Sequence, residues 1–200
     1  AALTQSTFVD NLATSSSGDN GATVGGHAIG GALYLAGGAH GVFEKLIVRG
    51  NRAFGGGGTS SGGFAAGGGL YHSAVSLTAV RESHFADNIA RGGAANGVSG
   101  SGGAAFGGAL GVVGPLAEIS GSTFSGNRVE GGDGVTFGGI AKGGGASLES
   151  TGALLVINTT VYGNVAFGGT SSGSGHGSAA GGGLDEGGIL TTLKHVTVAA

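Results

Sequence analysis

The sequence predicts an all-β protein that folds as a parallel β-helix, or β-solenoid, of about five rungs of 36–40 residues with Gly/Ser-rich loops. Three observations support this prediction. An asparagine ends five short strand-like runs, at intervals of 40, 37, 39 and 37 residues. A marker of the form GGAL, GGGL or GGGA recurs between successive asparagines, and apolar residues keep their distance from each asparagine. Constant spacing with changing residue identity is typical of rungs that stack on one another.

The amino-acid composition excludes several other classes of protein. Glycine accounts for 51 of the 200 residues, but there is one proline and no three-residue period, which excludes collagen. Charged residues make up 10% and hydrophobic residues 40%, so the chain is apolar enough to fold. A net charge of −3 lacks the basic excess of a nucleic-acid-binding protein, and no apolar run approaches the roughly 20 residues of a membrane span. Without cysteine there is no thiolate metal site.

The recurring asparagines end the runs FVDN, VRGN, FADN, FSGN and VYGN. Asparagine tolerates left-handed backbone angles, so we expect it at a corner of each rung. Its side-chain amide can also hydrogen-bond to the same amide one rung away. We therefore predict a structural ladder formed by Asn11, Asn51, Asn88, Asn127 and Asn164.

The glycine markers divide each period into two halves. From glycine pair to asparagine the count is 21, 21, 20 and 21 residues, whereas from asparagine to the next glycine pair it varies between 16 and 19. We expect the glycines at tight corners with backbone angles that other residues avoid. The residue after each marker should stack in the core, and the leucines at this position are Leu33, Leu70, Leu110 and Leu184.

Apolar residues in phase with the asparagines define the strands. β-branched and aromatic residues in short runs broken by Gly and Ser predict strands, and no window has the apolar spacing of an amphipathic helix. The residues three positions before each asparagine complete the predicted core stack: Phe8, Val48, Phe85, Phe124 and Val161.

The variable half of each period contains segments such as GGGGTSSGGFAA and GGTSSGSGHGSAA. Composition leaves two alternatives open for them: flexible loops, or extended glycine-rich layers along one side of the solenoid. On another face, Tyr34 and Tyr71 occupy the same rung position, and we predict a stacked pair of outward aromatic rings. This pair either stiffens the face or contacts a sugar or a partner protein.

The tandem GGAL and FxxN motifs, best matched at residues 30 and 107 and in FVDN, FADN and FSGN, resemble a known family. They are similar to the repeats of polymorphic outer membrane proteins and, more broadly, to right-handed parallel β-helix passengers of Gram-negative autotransporters. This resemblance implies a right-handed solenoid displayed outside the cell or at the bacterial surface, associated with the outer membrane.

Catalytic chemistry on a solenoid requires acidic side chains that converge from neighbouring rungs. Asp10 and Asp87 share the position before asparagine, but Gly50 separates them and places them about 10 Å apart. Different phases are occupied by Glu44, Glu82 and Glu118. His176, in SGHGS, resembles the Gly-His-Gly of polygalacturonases without their accompanying motifs, so we expect a solvated side chain. We predict no catalytic residue, cofactor or metal site.

The sequence therefore favours a non-catalytic structural or adhesive segment of a secreted or cell-surface protein. We expect residues 1–200 to form a single β-helix segment of a longer chain or of a stacked assembly. Two alternatives remain: a self-assembling extracellular fibre or accessory subunit that stacks end to end, and a polysaccharide-acting β-helix enzyme. Expected partners are other copies, flanking rungs, or a host or cell-surface protein or polysaccharide.

Overall fold

The computed structural model describes residues 1–17, 23–37, 40–73, 77–114, 117–150, 152–173, 175–187 and 190–200. Its regular elements are β-strands, and each strand pairs in parallel with the equivalent strand of the neighbouring rungs. The predicted fold class, a parallel β-solenoid of about five rungs, is thereby confirmed. Among these residues no helix has the length and apolar character required to cross a membrane.

Each rung contains five short strands. The first rung has β1 (Ala2–Thr4), β2 (Thr7–Val9), β3 (Leu12–Thr14), β4 (Ala28–Ile29) and β5 (Leu33–Ala36). The second has β6 (Gly41–Glu44), β7 (Ile47–Arg49), β8 (Arg52–Phe54), β9 (Ala65–Ala66) and β10 (Leu70–Ser73). The third has β11 (Thr78–Arg81), β12 (His84–Ala86), β13 (Ile89–Arg91), β14 (Ala105–Phe106) and β15 (Leu110–Gly114). The fourth has β16 (Ala117–Ser120), β17 (Thr123–Ser125), β18 (Arg128–Glu130), β19 (Ala141–Lys142) and β20 (Ala146–Ser150). The fifth has β21 (Ala153–Ile157), β22 (Thr160–Tyr162), β23 (Val165–Phe167), β24 (Ala179–Ala180) and β25 (Leu184–Glu186), followed by β26 (Leu190–Lys194) and β27 (Thr197–Ala199).

Equivalent strands form five parallel sheets that run along the solenoid. Sheet 1 is β1-β6-β11-β16-β21-β26, sheet 2 is β2-β7-β12-β17-β22-β27, and sheet 3 is β3-β8-β13-β18-β23. Sheet 4 is β4-β9-β14-β19-β24, and sheet 5 is β5-β10-β15-β20-β25. The register follows the sequence period, since Phe85 pairs with Val48 on one side and Phe124 on the other.

The core is a column of apolar side chains enclosed by the sheets. Phe85 and Phe124 stack with ring centroids 4.8 Å apart and planes inclined by 2°. Most of the predicted core residues are buried, whereas Phe8, Leu33 and Leu184 are partly buried and pack against the others. A second, smaller cluster consists mainly of alanines: Ala28, Ala53, Ala65, Ala90, Ala105, Val129 and Ala141. Small side chains there bring sheets 3 and 4 close together.

The five asparagines form a continuous hydrogen-bonded column. Asn88 Nδ2 donates to Asn127 Oδ1 and to the Val48 carbonyl, both at 2.9 Å. Asn88 Oδ1 accepts from the backbone N–H and Nδ2 of Asn51. The expectation that asparagine itself takes left-handed angles is wrong. The residue before it does so, as at Asp87 with φ 54°, because this turns the amide inward to the neighbouring rung.

The first glycine of each marker has a positive φ, for example 59° at Gly67 and 62° at Gly107. The second glycine is required for a different reason. A Cβ on Gly68 would lie 2.1 Å from the carbonyl oxygen of Gly108, one rung away. The pair therefore makes the corner and allows adjacent corners to stack in contact.

The described parts of the Gly/Ser loops extend from sheet 3 and return to sheet 4 as packed layers, the second of the two alternatives left open by composition. Residues 18–22 of the first loop and Ser174 of the last lie outside the described residues. Backbone hydrogen bonds of 2.8–2.9 Å join the outgoing and returning arms alternately along the axis. We call the glycines in this chain of bonds the glycine seam: Gly26, Gly56, Gly63, Gly93, Gly103, Gly132, Gly139, Gly169 and Gly177. From Gly56 onward, a Cβ at any of them would lie 1.8–2.1 Å from a backbone oxygen in the equivalent arm of the preceding rung.

His72 occupies an inward position in the same column as Leu35 and Val112 and is 3% exposed. Its Nδ1 hydrogen-bonds to the Thr78 hydroxyl at 2.7 Å, and its ring meets Phe43 edge to face. Burial lowers the pKa of His72, with a smaller contribution from the positive amino terminus.

We expect stability to fall as the pH drops below about 6.5, the pKa of histidine in the unfolded chain. The unfolded state then binds a proton that the buried neutral ring of His72 does not bind until lower pH, so protonation favours unfolding. Melting temperatures measured from about pH 7.5 to about pH 5 should show this loss, and His72→Leu should reduce it. Replacement of the exposed His84 by glutamine is the control. An equal slope in the His72 variant would contradict the assignment.

Candidate functional site

Tyr34 and Tyr71 are paired in register on β5 and β10 and point away from the core. Their ring centroids are 5.8 Å apart and their planes are inclined by 46°. The tyrosine column stops at the next rung, where Gly111 pairs with Tyr71. A Cβ on Gly111 would lie 2.6 Å from Cδ2 of Tyr71, so the missing side chain allows the phenol ring to lie over the third rung.

A groove of about 200 Å³ lies beside this ring, lined from sheets 4 and 5. Phe64 precedes β9 and Phe106 ends β14, and their rings line the groove from the sheet 4 side. Tyr71 and Val113 line it from sheet 5. The walls combine aromatic and small residues, since Ala66 and Gly111 leave room between the rings.

Besides the Tyr71 phenol, the polar side chains of the groove come from the fourth rung. Ser147, in register with Gly111, is 2% exposed, and its hydroxyl has no hydrogen-bond partner in the part of the chain that the structure describes. A buried hydroxyl without a partner costs free energy, so its occurrence requires an explanation. Glu149 is exposed and also lines the groove, while Lys142 shares the register position of Phe106 on the neighbouring strand.

The environment of the groove favours neutral tyrosine. Burial raises the pKa of Tyr71, and the negative charge of Glu149 and the neighbouring Tyr34 raise it further. The Tyr71 phenol therefore remains a hydrogen-bonding hydroxyl over the whole physiological pH range.

The carboxylates considered as catalytic acids do not converge. The side chain of Asp10 packs over Gly50 of the next rung, and that of Asp87 packs over Gly126. A Cβ on either glycine would lie within 2.6 Å of the aspartate Oδ1. Glu118 forms two 3.0 Å hydrogen bonds with Arg81. Ion pairs with Lys45 involve Glu44 and Glu82.

The pKa values of two carboxyl groups, Glu118 and Asp133, are lowered, whereas a general acid needs a raised pKa. The guanidinium of Arg81 lowers the pKa of Glu118, and hydrogen bonds from Thr170 lower that of Asp133. A carboxyl group that donates a proton near neutral pH needs a raised pKa. The described residues contain no group of three or more His, Cys, Asp or Glu side chains arranged to hold a metal ion.

His176 is exposed, and its Nδ1 accepts a hydrogen bond from the Ser171 backbone N–H at 3.3 Å; Ser174 of the same SGHGS segment lies outside the described residues. The ring thus stabilises its own loop in addition to contacting solvent.

Sequence reasoning identified the two tyrosines but missed Phe64, Phe106, Ser147 and Glu149. The signal for Ser147 was present, since it follows the glycine marker at the same distance as Tyr34, Tyr71 and Gly111. The contribution of the phenylalanines depends on the angle between sheets 4 and 5, which the period does not encode.

Comparisons with known proteins identify no relative. The chain matches no family model, and no curated protein and no solved structure shows significant similarity to it.

Proposed function

We propose that this chain is a non-catalytic structural and adhesive solenoid segment of a secreted or cell-surface protein. The observation that carries the proposal is the use of polar side chains to join one rung to the next. The asparagine column links all five rungs, and Arg81–Glu118 and Asp133–Thr170 connect neighbouring rungs at the surface. Groups held in this way suit a stable extended scaffold better than proton transfer.

The repeat motifs support the location of the segment. The GGAL and FxxN runs resemble those of polymorphic outer membrane proteins and autotransporter passengers, and a parallel solenoid of about five rungs agrees with that resemblance. On this basis the segment is displayed outside the cell or at the bacterial surface. The aromatic groove supplies a surface through which it adheres.

Surface display is tested with an antibody raised against the glycine-rich loops and applied to cells of the organism that encodes the protein. We expect labelling of intact cells or of secreted material, and loss of the cell-bound signal after brief external proteolysis. Labelling that requires permeabilised cells would refute surface display.

The absence of catalysis is tested separately on polygalacturonate and neutral polysaccharides. The purified chain should release no reducing ends and no unsaturated sugar above a heat-denatured control. Turnover that disappears in Glu118→Gln or in Asp87→Asn would instead support the polysaccharide-acting enzyme.

A further inference from the structure

The groove presents aromatic rings from two directions to one small space. Phe64 and Phe106 line it from sheet 4 and Tyr71 from sheet 5, and each ring is partly exposed. Aromatic rings pack well against the C–H faces of sugar rings, because these faces are apolar while the hydroxyls project sideways. A volume of about 200 Å³ is smaller than the pockets of about 300 Å³ or more that hold drug-sized molecules, so it suits one ring of a longer chain.

The buried hydroxyl of Ser147 indicates that the ligand also carries a hydrogen-bonding group. Ser147 lines the groove and is 2% exposed, and its buried hydroxyl has no hydrogen-bond partner among the described residues. A ligand hydroxyl that reached it after a small side-chain rotation would both donate and accept, and would relieve the cost of the unpaired group.

The charges near the groove favour a neutral ligand over an ion. Glu149 on sheet 5 supplies a hydrogen-bond acceptor to the groove, and Lys142, in register with Phe106 on the next strand of sheet 4, places an opposite charge outside its lining. An anionic polysaccharide would meet Glu149 and a chain with a net charge of −3.

The direction of the groove suits a linear chain of sugars. Its lining comes from the second rung at Tyr71, the third at Phe106 and the fourth at Ser147, so it runs along the solenoid axis. Successive rungs are about 4.8 Å apart, so the groove presents its contacts at regular short intervals.

We propose that this groove binds a neutral oligosaccharide, with one sugar ring packed between Tyr71 and Phe106 and its hydroxyls bonded to Ser147 and Glu149. This inference rests on the proposed adhesive function and names its ligand class.

The test uses the purified chain and four probes: cellohexaose, laminarihexaose, maltohexaose and mannohexaose. Binding is measured by calorimetry and by tyrosine fluorescence, which is selective because the chain has three tyrosines and no tryptophan. We expect at least one probe to bind and to change the fluorescence. No binding of any of them at millimolar concentration would overturn the proposal.

Variants test the contacts. Ser147→Ala should weaken binding about 5-fold, the value of one hydrogen bond, while the melting temperature stays equal or rises because the unpaired hydroxyl is removed. Tyr71→Ser should weaken binding about 10-fold or more. The matched control is Tyr162→Ser, which removes an exposed tyrosine on sheet 2, outside the groove.

Three results would change the interpretation. Unchanged binding in both Ser147→Ala and Tyr71→Ser would overturn the proposed site. Binding of tetramethylammonium that is lost in Glu149→Gln, with no oligosaccharide binding, would replace it with a cation site. If intact cells are labelled by the antibody while no oligosaccharide binds, the groove proposal fails and surface display stands.

Discussion

Replacing Gly93 by alanine is expected to lower the free energy of unfolding by about 3 kcal/mol or more, at the upper end of overpacking effects. Gly93 lies in the middle of the glycine seam. Its N–H donates to the Gly63 carbonyl and its own carbonyl accepts from Gly103, both at 2.8 Å. The added Cβ would lie 1.9 Å from the carbonyl oxygen of Gly56, which is backbone and has no side chain to rotate away. The outgoing arms of the second and third rungs must therefore move apart, which strains the hydrogen bonds of Gly93 with Gly63 and Gly103.

The matched control is Gly57→Ala in the outgoing arm of the second rung. Its nearest contact would be 3.4 Å, an ordinary van der Waals distance, and its φ is not in the left-handed region. We expect a change within about 1 kcal/mol, since alanine also restricts the unfolded chain. Denaturation followed by circular dichroism compares the two variants, and hydrogen exchange at Gly103 and Gly132 reports local opening. Equal midpoints with unchanged exchange would show that the seam tolerates side chains.

The substitution Asn88→Asp is expected to cost about 4 kcal/mol near neutral pH, because it introduces an uncompensated buried charge. Asn88 is fully buried, and its Nδ2 donates to Val48 and Asn127. In the variant an oxygen would face those two acceptors, so attraction becomes repulsion. The backbone corner is unaffected, since the left-handed residue is Asp87.

The pH dependence of this variant provides a second signature. Burial should raise the pKa of the introduced carboxyl above about 3.9, its value in the unfolded chain. The protonated form is therefore favoured by folding, and the difference from wild type should shrink as the pH falls through the raised value. Asn11→Asp is the control, since Asn11 is exposed and its Nδ2 donates to Asn51 alone among the described acceptors. We expect about 1 kcal/mol there. Similar costs at both positions would contradict the ladder as a buried column.

The period allowed strand register to be predicted residue by residue. Phe43, Val80, Ile119 and Val156 follow one another in sheet 1, as their common distance from asparagine requires. The prediction for the corner was correct in place and wrong in residue. The spacing of the asparagines locates the corner to within a residue or two. Which residue takes the left-handed backbone angle depends on the direction in which the asparagine amide must point, and the neighbouring rungs set that direction.

The pairing of charges was not predictable in the same way. Arg81 pairs in register with Glu44 but forms its ion pair with Glu118 on the other neighbouring strand. Long side chains choose between the rungs on either side, and the choice depends on local packing rather than on the period.

The sequence by itself determined the rung length, the positions that stack and the residues that stack there. In-register parallel pairing places each side chain directly above the equivalent side chain of the neighbouring rung. A constant number of residues per rung is therefore enough to encode these features. Only the tertiary structure decided that the Gly/Ser loops close into a hydrogen-bonded seam and that Phe106, Tyr71 and Ser147 meet in one groove. Both features depend on the angle and distance between segments of the same rung, which are set by packing across the solenoid and leave no trace in the spacing along the chain.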